Sequence, residues 1–120
     1  ASTLTTTLRI GPTEWGRVLL ARGQHAEARA KFEAALANGP NYGPAIVGKA
    51  DTLAAMGRND DALAEYARAA SVDPDYPAGW LAWAAQLDRS ERGDEAAAKR
   101  FEAGKAQARL NLPLDATPNR

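Results

Sequence analysis

Shifted by 34 residues, the chain falls on itself. Gly23 lands on Gly57, Ala28 on Ala62, Phe32 on Tyr66, Ala35 on Ala69 and Pro40 on Pro74, and Asn41-Tyr42 lands on Asp75-Tyr76. The first half of the unit recurs a third time, with Gly16, Ala50 and Ala84 in register and Leu19, Leu53 and Leu87 beside them. A fixed period of this length marks an array of supersecondary units, each too small to bury its own apolar face. Stacking of neighbours then creates the core, and three units are about the minimum.

The unit reads as two helices, best seen from Gly57 to Pro74. Gly57 admits the positive backbone dihedral that ends a preceding helix. Asn59 or Asp60 is placed to cap the next one, whose Ala62, Tyr66 and Ala69 share a face at spacings of four and three. Pro74 stops that helix and biases Asp73 away from helical geometry. The pattern predicts an all-α chain with helices over 13–22, 25–37, 44–56, 59–71, 77–89 and 94–110. Pro44 and Pro77 suit the first turns of the third and fifth. In the last copy Ala97, Phe101 and Gly104 are aligned with Ala62, Tyr66 and Ala69. They arrive one residue late, which places an extra residue in a lengthened turn over Asp88–Asp94, where insertions are tolerated.

These pieces form a known pattern. Trp15-Gly16-x2-Leu19 with Ala28-x3-Phe32 and Pro40, Ile46-x2-Lys49-Ala50-x2-Leu53 with Ala62-x3-Tyr66 and Pro74, and Trp80-x2-Trp83-Ala84-x2-Leu87 with Ala97-x3-Phe101 resemble the tetratricopeptide repeat. The resemblance runs from about Gly11 to Leu110. It implies an α-solenoid of three helix-turn-helix repeats, six helices in a right-handed superhelix, with repeats at about 9–42, 43–76 and 77–110. The repeat domain then spans 13–110, between an extended or disordered arm over 1–12 and a C-terminal tail over 111–120. Three departures carry expectations: Pro12 for a large apolar residue shortens the first helix, Lys49 for Leu leaves its stem partly covered, and Arg109 for the closing Pro lets the last helix run on.

Small residues give the repeat its physics, because paired helices approach closely only where one offers Gly or Ala to a bulky side chain on the other. Gly16, Ala50 and Ala84 are the small sites of the first helices. Ala28, Ala62 and Ala97 are those of the second, beside Phe32, Tyr66 and Phe101. Trp15, Trp80 and Trp83 stand at core spacing, an edge of Trp80 or Trp83 lining an apolar pocket being the alternative. Thr-rich Ala1–Ile10 reads either as a disordered lead-in or as an arm lying along a groove. Leu110, Leu112 and Leu114 are placed to cover the end of the stack. Arrays usually need such a cap, and the absence of a seventh helix points to a piece of a longer array or an end buried by self-association.

Fifteen basic and fifteen acidic residues cancel, so no global field draws in nucleic acid or anionic lipid. No apolar run is long enough for membrane insertion, and with no cysteine there is neither a disulfide nor a thiolate site. The compartment stays open, cytoplasmic or, within an envelope scaffold, periplasmic. His25 has no partner at a useful spacing. Asp60-Asp61 point apart and suit a helix start. Asp73-Pro74-Asp75 lacks the rest of a calcium loop. Lys99, Arg100, Lys105 and Arg109, offset by Glu95 and Glu102, read as a solvated face. No cofactor, metal or catalytic set is expected.

In the family resembled, the first helices line a concave groove that holds peptides or helices of partners. Helical period assigns to it Ile10, Thr13, Arg17 and Leu20, then Val47, Asp51 and Ala54, then Leu81, Ala85 and Asp88. Leu20, Val47 and Leu81 are the expected apolar anchors, with Arg17, Asp51 and Asp88 as polar selectors. Family members that grip a C-terminal carboxylate use Lys and Asn there. With Arg17 as the sole cation among the assigned positions, an extended or helical apolar segment of another protein is the expected partner. The expected function is therefore a protein-binding adaptor, scaffold or assembly chaperone rather than an enzyme. The alternative is a structural unit of a bacterial envelope, secretion or polysaccharide-export scaffold, or a unit self-associating through its C-terminal helix or N-terminal arm. Val47→Asp is expected to weaken binding at intact helicity.

Overall fold

A computed structural model describes residues 11–111, which form six helices: α1 Pro12–Ala21, α2 His25–Asn38, α3 Gly43–Ala55, α4 Asn59–Val72, α5 Pro77–Arg89 and α6 Gly93–Leu110. The expected arm up to Ile10, and the tail with Leu112 and Leu114, lie outside the described residues. Each helix begins and ends within one residue of its predicted bounds. Pro12, Pro44 and Pro77 occupy first turns, where a missing N–H leaves nothing unsatisfied. The first helix is the shortest, at 10 residues, and the last the longest, at 18.

The three hairpin turns are copies of one another. Gln24, Arg58 and Arg92 donate their amides to the carbonyls of Leu19, Leu53 and Leu87 at 2.9, 2.9 and 2.8 Å. Before each stands a residue with positive φ: Gly23 at 78°, Gly57 at 82° and Glu91 at 59°. The third turn is therefore not lengthened, and the period of 34 holds throughout. Ala96 and Ala103, not Ala97 and Gly104, answer Ala62 and Ala69: they are 0% and 4% exposed, whereas Phe101 is 68% exposed. The third copy carries no aromatic residue at the position of Tyr66. The true equivalent is Arg100, which reaches back to pair with Asp88. Glu91 thus holds a conformation that costs a side chain about 1–2 kcal/mol. Glu91→Gly is expected to raise stability by about 0.5–1 kcal/mol, the glycine's greater unfolded-state freedom offsetting part of the gain. Chemical denaturation checks it, and an unchanged or lower midpoint would refute the shared turn geometry.

Packing follows from the turns. The second helices of the first two units each lie against their own first helix and the next one, α2 touching α1 and α3, and α4 touching α3 and α5. The first helices α1, α3 and α5 adjoin in succession, and α6 meets only α5 among the described elements. The largest cluster is central: Ile46, Val47, Ala50 and Leu53 meet Ala62, Tyr66 and Ala69, joined by Leu36 from α2 and by Ala82 and Trp83 from α5. Leu19, Ala28 and Phe32 form the first unit's core and Ala84, Leu87 and Ala96 the third's. Phe32, wholly buried, is wedged between two glycines. A Cβ on Gly16 would stand 2.8 Å from its ring, and one on Gly48 closer still.

Polar side chains tie the units. Lys49, at the position of an expected Leu, has a stem only 20% exposed and sets its ammonium between Glu33 of α2 at 3.6 Å and Glu65 of α4 at 3.4 Å. Asn59 makes no cap; its carbonyl oxygen instead accepts from the amide of buried Gln86 at 3.0 Å, linking α4 to α5. Arg68 and Arg109 donate to the carbonyls of Pro40 and Pro74 at 3.2 Å each. Trp15 departs from core expectation at 38% exposed. Trp80 and Trp83 are half-buried, stacked at 5.8 Å with the Lys99 ammonium 4.0 Å from the Trp83 ring centre.

Candidate functional site

The face made by α1, α3 and α5 centres on Asp51. Arg17 and Asp51 stand one repeat apart, at the same place on successive helices, so their side chains meet: Arg17 Nη1 donates to Asp51 Oδ2 at 3.1 Å. The other carboxylate oxygen, Oδ1, accepts from the hydroxyl of Tyr66. That ring is 1% exposed, so the hydroxyl reaches the groove from the core of the second unit. Burial, and then the negative charge and hydrogen bond of Asp51, push the Tyr66 hydroxyl far above the ordinary tyrosine range.

This has a consequence at high pH. Because the folded chain favours the neutral phenol, the associated stability is fully present below the unfolded tyrosine pKa of about 10 and is lost as pH rises above it. Tyr66→Phe is expected to cost about 1–2 kcal/mol at neutral pH, since a hydrogen bond to a charged group is lost while Asp51 keeps Arg17. The same substitution should flatten the alkaline decline in melting temperature. A parent whose stability is level from pH 9 to 11 would contradict the buried hydrogen bond.

The expected groove residues fall into three sets. Arg17, Leu20, Asp51, Ala54, Ala85 and Asp88 are exposed or half-buried on the first helices. Asp51 and Asp88 are already engaged, Asp88 by Arg100. Thr13 and Val47 are 7% and 1% exposed and offer a partner no surface. Val47 is covered because Gly79 lets α5 close over it: a Cβ on Gly79 would meet Val47 Cγ2 at 3.3 Å. The expectation that Val47 is an open anchor is thus corrected. Leu81, the same position one repeat on, is 50% exposed, since no further first helix follows among the described residues. Ile10 lies outside them.

Between α3 and α5 the face opens into a cavity of about 430 Å³ lined by Asp51, Ala54, Ala55 and Arg89. Ala55 and Arg89 were not assigned to the groove, yet Ala21, Ala55 and Arg89 are spaced by the same 34 residues as the assigned rows. Arg89 therefore joins Arg17 as a second cation on this face. Its guanidinium donates to the side-chain oxygen of Gln86 from Nε at 3.1 Å and from Nη2 at 2.7 Å. Gln86 is in turn bonded to Asn59, so the side chain is held in place. The floor is small-sided, with charges braced at its edges.

Among the described residues there is no group of three His, Asp, Glu or Cys side chains placed to share a metal. No helix there is long and apolar enough to cross a membrane. Comparison with the sequences of curated proteins finds no match. Among solved structures, the Yersinia enterocolitica type III secretion translocator chaperone SycD is similar with TM-score 0.74 at 22% identity, over 85% of this chain and 75% of that one. MamA is similar with TM-score 0.71 at 17% identity over 82% of this chain, which spans only 58% of MamA's length. The Sgt2 domain of Aspergillus fumigatus is similar with TM-score 0.60 at 18% identity, over 91% and 87% of the two chains. At such identities these likenesses speak to the fold. A sequence profile described as Tetratricopeptide repeat matches residues 19–87, more than half of the chain and the region where all three copies of the hairpin meet. With its six helices paired at one constant period, the chain belongs to the tetratricopeptide repeat family.

Proposed function

We propose that the chain is a non-enzymatic protein-interaction module that holds an apolar segment, extended or helical, of another protein against α1, α3 and α5. The observation that carries this reading is the open cavity over Ala54 and Ala55. Its floor is Ala54 and Ala55, which leaves room for a bulky side chain, and the charged Asp51 and Arg89 at its edges are already anchored, Asp51 by Tyr66 and Arg17 and Arg89 by Gln86. A partner entering it need not supply counter-charges for Asp51, whose carboxylate is satisfied from both sides. Anchoring by a side chain in such a pocket supplies most of the affinity in complexes of this kind. A structure of SycD is described as a complex with a peptide of the translocator YopD, and it is similar to this chain with TM-score 0.70 at 19% identity. That likeness favours a chaperone-type role over a purely structural spacer.

Ala55→Arg tests the reading. Ala55 is exposed in the last turn of α3, where a cation suits the helix dipole, so fold and melting temperature should hold while the cavity fills. Side-by-side affinity capture from native lysate, with titration calorimetry of whatever is retained, is expected to lose binding at least about tenfold with this variant. Equal retention by parent and variant would sink the assignment.

A further inference from the structure

We propose that the outer face of α6 is a homodimer interface, in which two copies of the chain pack antiparallel with Phe101 of one seated on Gly104 of the other; this goes beyond the groove and involves a different surface. In the first two units, the second helix is covered by the next first helix. Leu63 of α4, for instance, packs on the cluster of Ala84, Leu87 and Ala96. One repeat later the corresponding residue is Ala97, which is exposed, and no further helix covers it among the described residues.

Two features of α6 are left without apolar packing among the described residues, the Phe101 ring meeting only the Lys105 ammonium at 5.1 Å from its centre. Phe101 is the most exposed of the large apolar side chains among the described residues, at 68%. Gly104 lies inside the helix, where glycine is unfavourable, yet a Cβ there would meet nothing within 4 Å. The fold elsewhere shows what such a pair is for, because Phe32 is seated between Gly16 and Gly48. Phe101 and Gly104, being neighbours on one helix face, cannot pack on each other in that way.

Ala97, Phe101, Gly104 and Ala108, all exposed, lie on one stripe at spacings of four, three and four. This order is symmetric about the point between Glu102 and Ala103. An antiparallel copy related by a two-fold axis therefore sets Phe101 on the partner's Gly104, Gly104 under the partner's Phe101, and Ala97 beside the partner's Ala108. Two-fold pairing of this kind uses one self-complementary patch twice. Flanking cations are engaged within the chain: Arg100 is paired with Asp88, and Lys105, paired with Glu102 at 2.8 Å, lies 5.1 Å from the Phe101 ring centre and swings aside on its flexible stem when the partner docks. From Ala97 to Ala108 the stripe gives a seam about 17 Å long.

Sedimentation of the full 120-residue chain over a concentration series is expected to show a monomer–dimer equilibrium. Phe101→Glu should raise the dissociation constant about 100-fold or more at unchanged circular dichroism. Gly104→Ala should act with opposite signs, raising the melting temperature of the dilute monomer while weakening the dimer, a pairing that a purely internal role cannot produce. Mixing Ala97→Cys with Ala108→Cys under oxidation should give disulfides between the two variants rather than within either. A monomer at every concentration would overturn the proposal, and would be the outcome if the chain's own tail or a different protein covered α6. A dimer indifferent to Phe101→Glu, or cross-links joining only like variants, would overturn it equally.

Discussion

Replacing Gly48 by leucine is expected to remove about 3 kcal/mol or more of stability, a large part of the 5–15 kcal/mol that holds a small domain together. The expectation runs against helix propensity, which alone would favour the substitution by about 1 kcal/mol. Packing decides the sign, because the position of a Cβ on Gly48 is already occupied by the ring of Phe32, and that ring cannot swing away: Gly16 approaches it from α1. Even Gly48→Ala should be net destabilising. Phe32→Ala alone should cost about 3–5 kcal/mol as a cavity, and combined with Gly48→Leu it should cost clearly less than the sum, since each change relieves the other. Urea denaturation of the four proteins closes the cycle. Additive losses, or a Gly48→Ala variant more stable than its parent, would show that the ring is not the wedge between the first two units.

That wedge also explains how far the amino-acid sequence could be read. Period and turn residues located six helices to within a residue, because Gly57, Pro44, Pro74 and Pro77 constrain the backbone itself and need no knowledge of neighbours. Burial was legible where the repeat supplies its own partner, as with Ala28 beside Phe32 or Ala62 beside Tyr66. It was not legible where the partner comes from another unit. Gly48 and Gly79 look like ordinary helix interruptions until α2 and α5 are set against them. The third copy was misaligned for a related reason. A match of aromatic to aromatic, Phe101 to Tyr66, competes in the sequence with the constancy of the turn, where Glu91 stands in the place of Gly23 and Gly57. Backbone geometry was the stronger signal, and a charged residue in the left-handed region obscured it. On the candidate face, Ala55 and Arg89 share the period of the assigned rows, and their place beside Asp51 and Ala54 becomes visible only once α3 and α5 are set together. Pairings such as Asp51 with Arg17 and Tyr66, or Asp88 with Arg100, depend on side chains from two helices and appear only once those helices are placed.

Val47 turns the same point into a measurement. Its place in the groove row predicts that Val47→Asp weakens binding and spares the helices, whereas its burial predicts loss of the fold. At 1% exposure, with Gly79 of α5 closed over it, the introduced carboxyl would have no water. It packs in the apolar cluster of Ile46, Ala50, Leu53, Ala62, Tyr66 and Ala69, which supplies no counter-charge. An unpaired buried charge is expected to cost about 4 kcal/mol or more, so far-ultraviolet circular dichroism should fall and the melting transition should broaden or vanish. The defect also has a pH signature. Burial would raise the pKa of the new carboxyl in the folded chain, so the deficit relative to the parent is full above the folded pKa and shrinks as pH falls towards the unfolded value of about 3.9. Val47→Ala, which removes volume without charge, should cost only about 1–3 kcal/mol and show no such pH dependence. If Val47→Asp keeps parental helicity and melting at neutral pH, then α3 and α5 do not close over this side chain. The apolar floor of the groove would then extend from Ala54 to Val47 and admit a longer segment than the cavity at Ala55 does.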